Sequence, residues 1–144
     1  MAETTTGLSE IERQAVKNRA KEVRAQEKAG KDRAAGLAAL LEAIDKLDGL
    51  DRELAEGVHR IVTATAPHLA PKTYYGFAAY ANADGKIVCF FKPSSKFKVR
   101  YATFEFEAPA ALDDGDMWPT AFALLAITPE TEKRIADLVT TAAA

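Results

Sequence analysis

Apolar residues recur at helical spacing in the first part of the chain, beginning with a thin stripe after Ser9. Ser9 and Glu12 fit a capping box, and the residues from Glu10 to about Lys28 are good helix formers without proline. The stripe consists mainly of alanine and valine, so this helix buries little apolar surface by itself. Glycines at positions 30 and 36 then predict a break.

Two richer stripes follow and predict two helices that pack into a core. Leucine and isoleucine side chains share one face of a predicted helix from about Ala35 to Lys46. The next helix is predicted from about Arg52 to Thr65, with Asp51 as its N-cap. Pro67 and Pro71 end this helix, because the residue before a proline avoids the helical conformation.

The pattern then becomes typical of strands, and all aromatic residues lie between Tyr74 and Phe122. We predict strands in four runs: "TYYGFAAYA", "KIVCFF", "FKVRYATFEFE" and "WPTAFALLAI". The run "NADG" between the first two reads as a hairpin turn. Thr128 followed by Pro129 and Glu130 predicts the start of a last helix.

The order of three helices, four strands and one helix predicts an α+β fold. Short links between consecutive strands favour an antiparallel sheet of about four strands. We expect helices packed on one face of this sheet, which leaves the other face, the open face, to solvent or a partner. Residues 1–35 are predicted to form a basic helical arm, and residues 36–144 the α+β domain.

Composition narrows the classes of partner. The chain has 144 residues and a net charge of −2, so charge favours neither a nucleic acid nor a membrane surface. No apolar run approaches the ~18 residues that span a membrane, and the N-terminus lacks the features of a secretion signal. A single cysteine fits a reducing compartment. We therefore expect a cytoplasmic protein without membrane or nucleic-acid partners.

The sequence shows no pair of residues that would form a catalytic centre. Cys89 lies in the apolar run "IVCFF" without a neighbouring base, so we interpret it as a core residue. His59 and His68 are nine residues apart, which is not the spacing of two metal ligands on one helix. His59 is expected on the helix surface and His68 at a helix end. We do not expect an enzyme.

Acidic side chains form two clusters. The run "LDDGD" groups three aspartates and is interpreted as a solvated turn rather than a cation site. The stretch from Glu42 to Glu56 carries six carboxylates. An ordinary hydrated surface explains it, and weak binding of Fe²⁺ or another divalent ion through oxygen is the alternative.

Basic side chains flank two aromatic rings in the middle of the strand region. Cations beside rings suit an anionic or planar ligand. The sequence favours the alternative, that these are solvated strand edges that discourage aggregation. The residues concerned are Lys92, Lys96, Lys98 and Arg100, beside Phe97 and Tyr101.

The segments "APHLAPKTYYGFAAYANADGKIVCFF", "FKVRYATFEF" and "LDDGDMWPTAFAL" resemble the YdhG-like family, a bacterial domain of unknown function. The resemblance covers roughly residues 50–141. It rests on the steps Tyr75-Gly76, Phe90-Phe91, Arg100-Tyr101 and Trp118-Pro119. It implies an antiparallel α+β fold related to frataxin-like and YjbR-like domains. Because one relative is regarded as an iron chaperone, it also implies iron as a candidate cofactor.

The sequence predicts two alternative functions. The first is a binding module whose open face takes a small molecule or a protein, with Tyr75, Tyr80, Arg100, Tyr101 and Trp118 as its binding residues. The second is a frataxin-like metallochaperone whose exposed carboxylates deliver iron to a partner.

Overall fold

The protein is described by a computed structural model that covers residues 9–144, apart from the side chains of residues 22, 25, 26 and 29. The chain divides into two compact units, one up to Ala34 and one from Ala35 to Ala144. Helix α1, Glu10–Asp45, passes from one unit into the other. No described helix has both the length and the apolar character needed to cross a membrane.

Helix α1 begins with the capping box that the sequence predicts. The Ser9 N–H donates to Glu12 Oε1 at 2.9 Å, and the Glu12 N–H donates to Ser9 Oγ at 3.1 Å. The predicted break is wrong, since Gly30 and Gly36 both lie inside one continuous helix. Gly36 has a packing role: a Cβ there would clash with the carbonyl oxygen of Pro71.

The second helix starts earlier than expected. Helix α2 spans Gly49–Thr65, and its N-cap is Asp48, whose side chain makes no capping hydrogen bond. The prediction of Asp51 as the N-cap is wrong. Asp51 is buried and accepts hydrogen bonds from Ser94 and Ser95, at the start of a short helix in the loop after the third strand.

The sheet has five antiparallel strands, one more than the sequence suggests, in the order β1-β2-β3-β4-β5. Strands β1 and β2 form a hairpin around Tyr75 and Gly76, whereas the sequence predicts that these two residues lie inside one strand. The strands are β1 Ala70–Tyr74, β2 Phe77–Ala81, β3 Ile87–Lys92, β4 Ala102–Phe106 and β5 Ala121–Leu124. The remaining helices are α3 Ser94–Phe97 and α4 Pro129–Ala142.

Helices pack against one face of the antiparallel sheet, and the predicted α+β fold class is confirmed. Thr128 is the N-cap of helix α4, and its side chain accepts from the N–H of Thr131, as the sequence predicts. Cys89 is fully buried in this core, and burial raises its pKa to about 12, which confirms it as a core residue. The core includes Leu40, Ile44, Leu54, Val58, Val62, Tyr80, Phe91, Phe104, Ile135 and Val139.

Candidate functional site

The strand register identifies the side chains that share the open face. Cross-strand partners point to the same side of an antiparallel sheet. One row across this face runs Lys72, Ala79, Phe90, Glu105 and Ala121. The face is therefore mixed, with an apolar centre and a charged residue on each side.

A cluster of rings covers the part of the open face near the β1–β2 hairpin. The Phe77 and Phe90 ring centroids are 5.2 Å apart, and Tyr74 lies 5.9 Å from the first and 5.3 Å from the second. Phe97, from α3, meets Phe77 edge-on at 5.6 Å. Phe77 and Phe90 are each only 5% exposed, so these rings form a second, smaller core.

Tyr75 stands outside this small core, at the tip of the hairpin. It is 75% exposed and has a φ of +50°, and Gly76 beside it has a φ of +81°. Positive φ at both central residues matches a type I′ turn, whose central positions favour asparagine and glycine. The Lys96 ammonium donates to the Tyr75 carbonyl oxygen at 2.9 Å. An exposed tyrosine is thus held in a conformation that disfavours it.

The segment from Lys92 to Tyr101 adds cations beside the exposed rings. The Lys92 ammonium lies 4.9 Å from the centroid of the Phe97 ring, and the Arg100 guanidinium lies 5.4 Å from that of Tyr101. None of the ion pairs found among residues 9–144 involves a cation of this segment. We call Tyr75, Lys96, Phe97, Arg100 and Tyr101 the cationic–aromatic patch.

Tyr80 does not belong to the open face, contrary to expectation. It pairs with Cys89 across the sheet, points toward the helices and is 2% exposed. Its hydroxyl lies 2.9 Å from Nδ1 of His59, which is half-buried and not the surface residue expected. Burial lowers the pKa of His59 and raises that of Tyr80. The position of His59 next to Val58 at the border of the α2 stripe was the signal for this contact.

Trp118 is half-buried and lies away from the other predicted residues. It comes two residues before Thr120, whose carbonyl oxygen accepts from the Phe106 N–H at 2.8 Å. Tyr101 directly precedes Ala102, at the opposite end of β4. At about 3.3 Å per residue, roughly 15 Å of strand separates these ends. The structure brings Tyr75, Arg100 and Tyr101 to one end of the sheet and leaves Trp118 at the other.

The acidic stretch on α1 and α2 borders an open groove of about 570 Å³ that also contacts His59. The three carboxylates that line this groove are already paired with cations. Arg52 binds Asp45 at 2.9 Å and Glu56 at 3.6 Å, and Lys46 binds Glu42 at 3.3 Å. Within the described part of the chain, no three His, Cys, Asp or Glu side chains lie close enough together to hold a metal ion. His68 contacts the carbonyl oxygen of Ala143 instead.

The buried position of His59 predicts a pH dependence of stability. Because its pKa is lowered in the folded protein, protonation favours the unfolded chain. We expect the free energy of unfolding to fall as the pH drops from about 7 to about 5, across the ordinary histidine pKa of about 6.5. Denaturation at several pH values should show this fall in the wild type and a flatter profile in His59→Gln. An unchanged profile in His59→Gln would place the titration elsewhere.

Comparison of the chain with protein-family models, curated proteins and solved structures returns no match. The class of the protein is given by its structure, which is an α+β fold.

Proposed function

We propose that the protein is a non-enzymatic binding module that takes an acidic segment of a protein partner on the cationic–aromatic patch. The observation that carries this proposal is the conformation of Tyr75. A residue other than glycine in the left-handed region costs on the order of 1–3 kcal/mol. Tyr75 is 75% exposed, so burial recovers little of that cost. Binding explains a tyrosine here better than folding does.

The charge of the patch selects an anionic partner. The whole chain carries −2, and the segment from Lys92 to Tyr101 contributes +4, so the rest of the chain carries −6. A short acidic segment meets only the local cations. A long nucleic acid also meets the repulsion of the surrounding acids, which disfavours it. Tyrosine and arginine are the side chains most often found at the energetic centre of protein interfaces.

The shape of the surface favours a protein over a small molecule. The cavity beneath the patch, bordered by Phe77 and Lys96, holds only about 20 Å³. Pockets for small molecules usually measure about 300–1,000 Å³. Phe97, Val99 and Tyr101 are each between 36% and 46% exposed, and they offer apolar contact on a shallow surface. Such a surface suits an extended segment that pairs carboxylates with a few apolar side chains.

The proposal includes that the protein is a YdhG-like domain, that it is bacterial and that it is located in the cytoplasm. An antiparallel sheet with helices on one face is the architecture that the resemblance implies, which supports it at the level of fold class. The iron-chaperone alternative has less support, because Asp45, Glu56 and Glu42 are engaged by cations. Binding of ferrous iron by the wild type in anaerobic calorimetry, and its loss in Glu56→Gln, would support the iron-chaperone alternative.

Replacing Tyr75 by asparagine separates binding from folding. Asparagine tolerates positive φ, so we expect Tyr75→Asn to leave the free energy of unfolding unchanged or slightly raised. Selection from a displayed library of short acidic peptides should enrich binders of the wild type. Tyr75→Asn and Arg100→Gln should weaken these binders by about tenfold or more, which is about 1.4 kcal/mol. Fluorescence titration measures the affinities.

The matched control is Lys86→Gln, which removes an exposed cation from the turn at the other end of β2. It should leave binding within about twofold, since rim charges far from the contact contribute little. Equal losses in Lys86→Gln and Arg100→Gln would mean that only net charge matters. If the wild type bound single-stranded oligothymidylate more tightly than any acidic peptide, we would conclude that the partner is a nucleic acid and not a protein.

A further inference from the structure

A groove at the β5 edge of the sheet shares no residue with the cationic–aromatic patch. It lies between the edge strand β5 and helix α4 and has a volume of about 320 Å³. Its walls are mainly apolar, formed by Phe104, Phe122, Ile135 and Leu138. All four residues of β5 line it.

Strand β5 has a free backbone edge beside this groove. Because Phe106 and Thr120 form a hydrogen-bonded pair, the alternation of an antiparallel ladder makes Ala121 and Ala123 non-hydrogen-bonded positions. Their N–H and C=O groups therefore point away from β4. No described backbone group outside the ladder bonds to them.

The two edges of the sheet differ in how they are protected. Strand β1, at the other edge, carries Pro71 and Lys72, and Gly36 of helix α1 packs against it. Proline, lysine and a covering helix are common means of preventing strand addition. Strand β5 has the sequence Ala-Phe-Ala-Leu, with neither proline nor charge, so it is open to an added strand.

A single charge marks the groove. Among the described residues, Arg134 is the one charged residue that lines it. It is exposed, and its guanidinium has neither an ion pair nor a hydrogen-bond partner in the part of the chain that the structure describes. A planar guanidinium binds a carboxylate through two parallel hydrogen bonds. An apolar groove with one unpaired arginine is thus complementary to an apolar side chain followed by a carboxylate.

We propose that β5 and α4 form a second binding site, which takes an extended peptide segment as a sixth strand. The segment pairs with the outward backbone groups of Ala121 and Ala123, places an apolar side chain in the groove and binds Arg134 through a carboxylate. Strand addition supplies affinity through the main chain and specificity through side-chain pockets. A free fatty acid satisfies the groove and Arg134 but leaves the backbone groups unpaired, which favours the peptide.

The test uses the full chain and a pool of short capped peptides that alternate threonine with Val, Leu or Phe. Each peptide carries one glutamate, and a matched pool carries glutamine at the same positions. The wild type should retain glutamate peptides with at least about tenfold higher affinity than their glutamine counterparts, as expected for a charge-assisted pair. Retention is read by mass spectrometry and confirmed by fluorescence titration.

Two variants separate the charge from the strand edge. Arg134→Gln should abolish the preference for glutamate while leaving residual binding. Ala123→Pro removes one outward N–H, which an edge strand tolerates, and should abolish binding of both pools. Circular dichroism checks that each variant is folded. Because Arg134 is exposed, Arg134→Gln keeps the test decisive even if the proline variant fails to fold.

Several results would overturn the proposal. One is retention of no peptide above background by the wild type. Another is an equal affinity for glutamate and glutamine peptides. Binding of octanoate that survives Ala123→Pro would assign the groove to a fatty acid. A chain dimer in sedimentation that Ala123→Pro dissociates would assign β5 to a second copy of the chain.

Discussion

Replacement of Asp51 by alanine is expected to lower the free energy of unfolding by about 3–5 kcal/mol. Asp51 is 5% exposed, and its carboxylate accepts the N–H and Oγ–H of Ser94, each at 3.0 Å, and the N–H of Ser95 at 3.0 Å. It also accepts the Ser95 hydroxyl. Each donor that loses its acceptor costs about 1–3 kcal/mol, and relaxation of the loop recovers part of the sum.

The pH dependence of this loss has a definite sign. Burial alone would raise the pKa of Asp51, but the hydrogen bonds from Ser95 and Ser94 outweigh it and lower the pKa. The stabilisation is therefore complete above the unfolded pKa of about 3.9 and is lost as the pH falls through the lower folded value. Urea denaturation should show a large difference between wild type and Asp51→Ala at neutral pH and a smaller one below about pH 3.

Asp48→Ala is the matched control for Asp51→Ala. Asp48 is the actual N-cap of α2, is exposed and makes no side-chain capping bond. Its loss should cost no more than about 1 kcal/mol, through its interaction with the helix dipole. If both alanine variants lost equal stability, Asp51 would be acting at the α2 terminus, and its contacts with the start of α3 would contribute nothing.

The parts of the fold that the sequence predicted correctly are those with strong local signals. The capping residues Ser9 and Thr128 start their helices as expected. In the sequence of β4, Phe104 and Phe106 alternate with Glu105, and in the structure the two phenylalanines are buried while Glu105 is half-buried. In each case neighbouring residues alone determine the conformation, so no distant contact is needed to predict it.

The errors came where distant contacts decide the structure. Gly36 reads as a break, yet it is the point where α1 approaches Pro71, which follows 35 positions later in the chain. Asp51 reads as a cap for its own helix, yet its acceptors are used by Ser94 and Ser95. Nothing local in the sequence reports such long-range pairs.

The candidate site was predicted in part. Arg100 beside Tyr101 is a local arrangement, and the exposed ring of Tyr75 follows from its place before a glycine. Tyr80 was misplaced because the Tyr75-Gly76 turn was not recognised. Once the hairpin is known, Phe77 and Ala79 share the open face, and the period of two puts Tyr80 on the helical face.

Gly36→Ala is expected to lower the free energy of unfolding by about 3 kcal/mol, the upper end of the range for overpacking. A methyl group there would lie far inside van der Waals contact with the Pro71 carbonyl oxygen, and backbone atoms cannot move aside as a flexible side chain can. The gain in helix propensity, about 1 kcal/mol, is too small to offset this. Gly30 lies in the same helix with nothing within 4 Å of a Cβ, so Gly30→Ala should be neutral or stabilising by up to about 1 kcal/mol. Parallel chemical denaturation of the two variants compares the same substitution at both sites. Opposite signs would show that Gly36 is needed for the approach of α1 to β1, whereas equal stability of both variants would contradict that role.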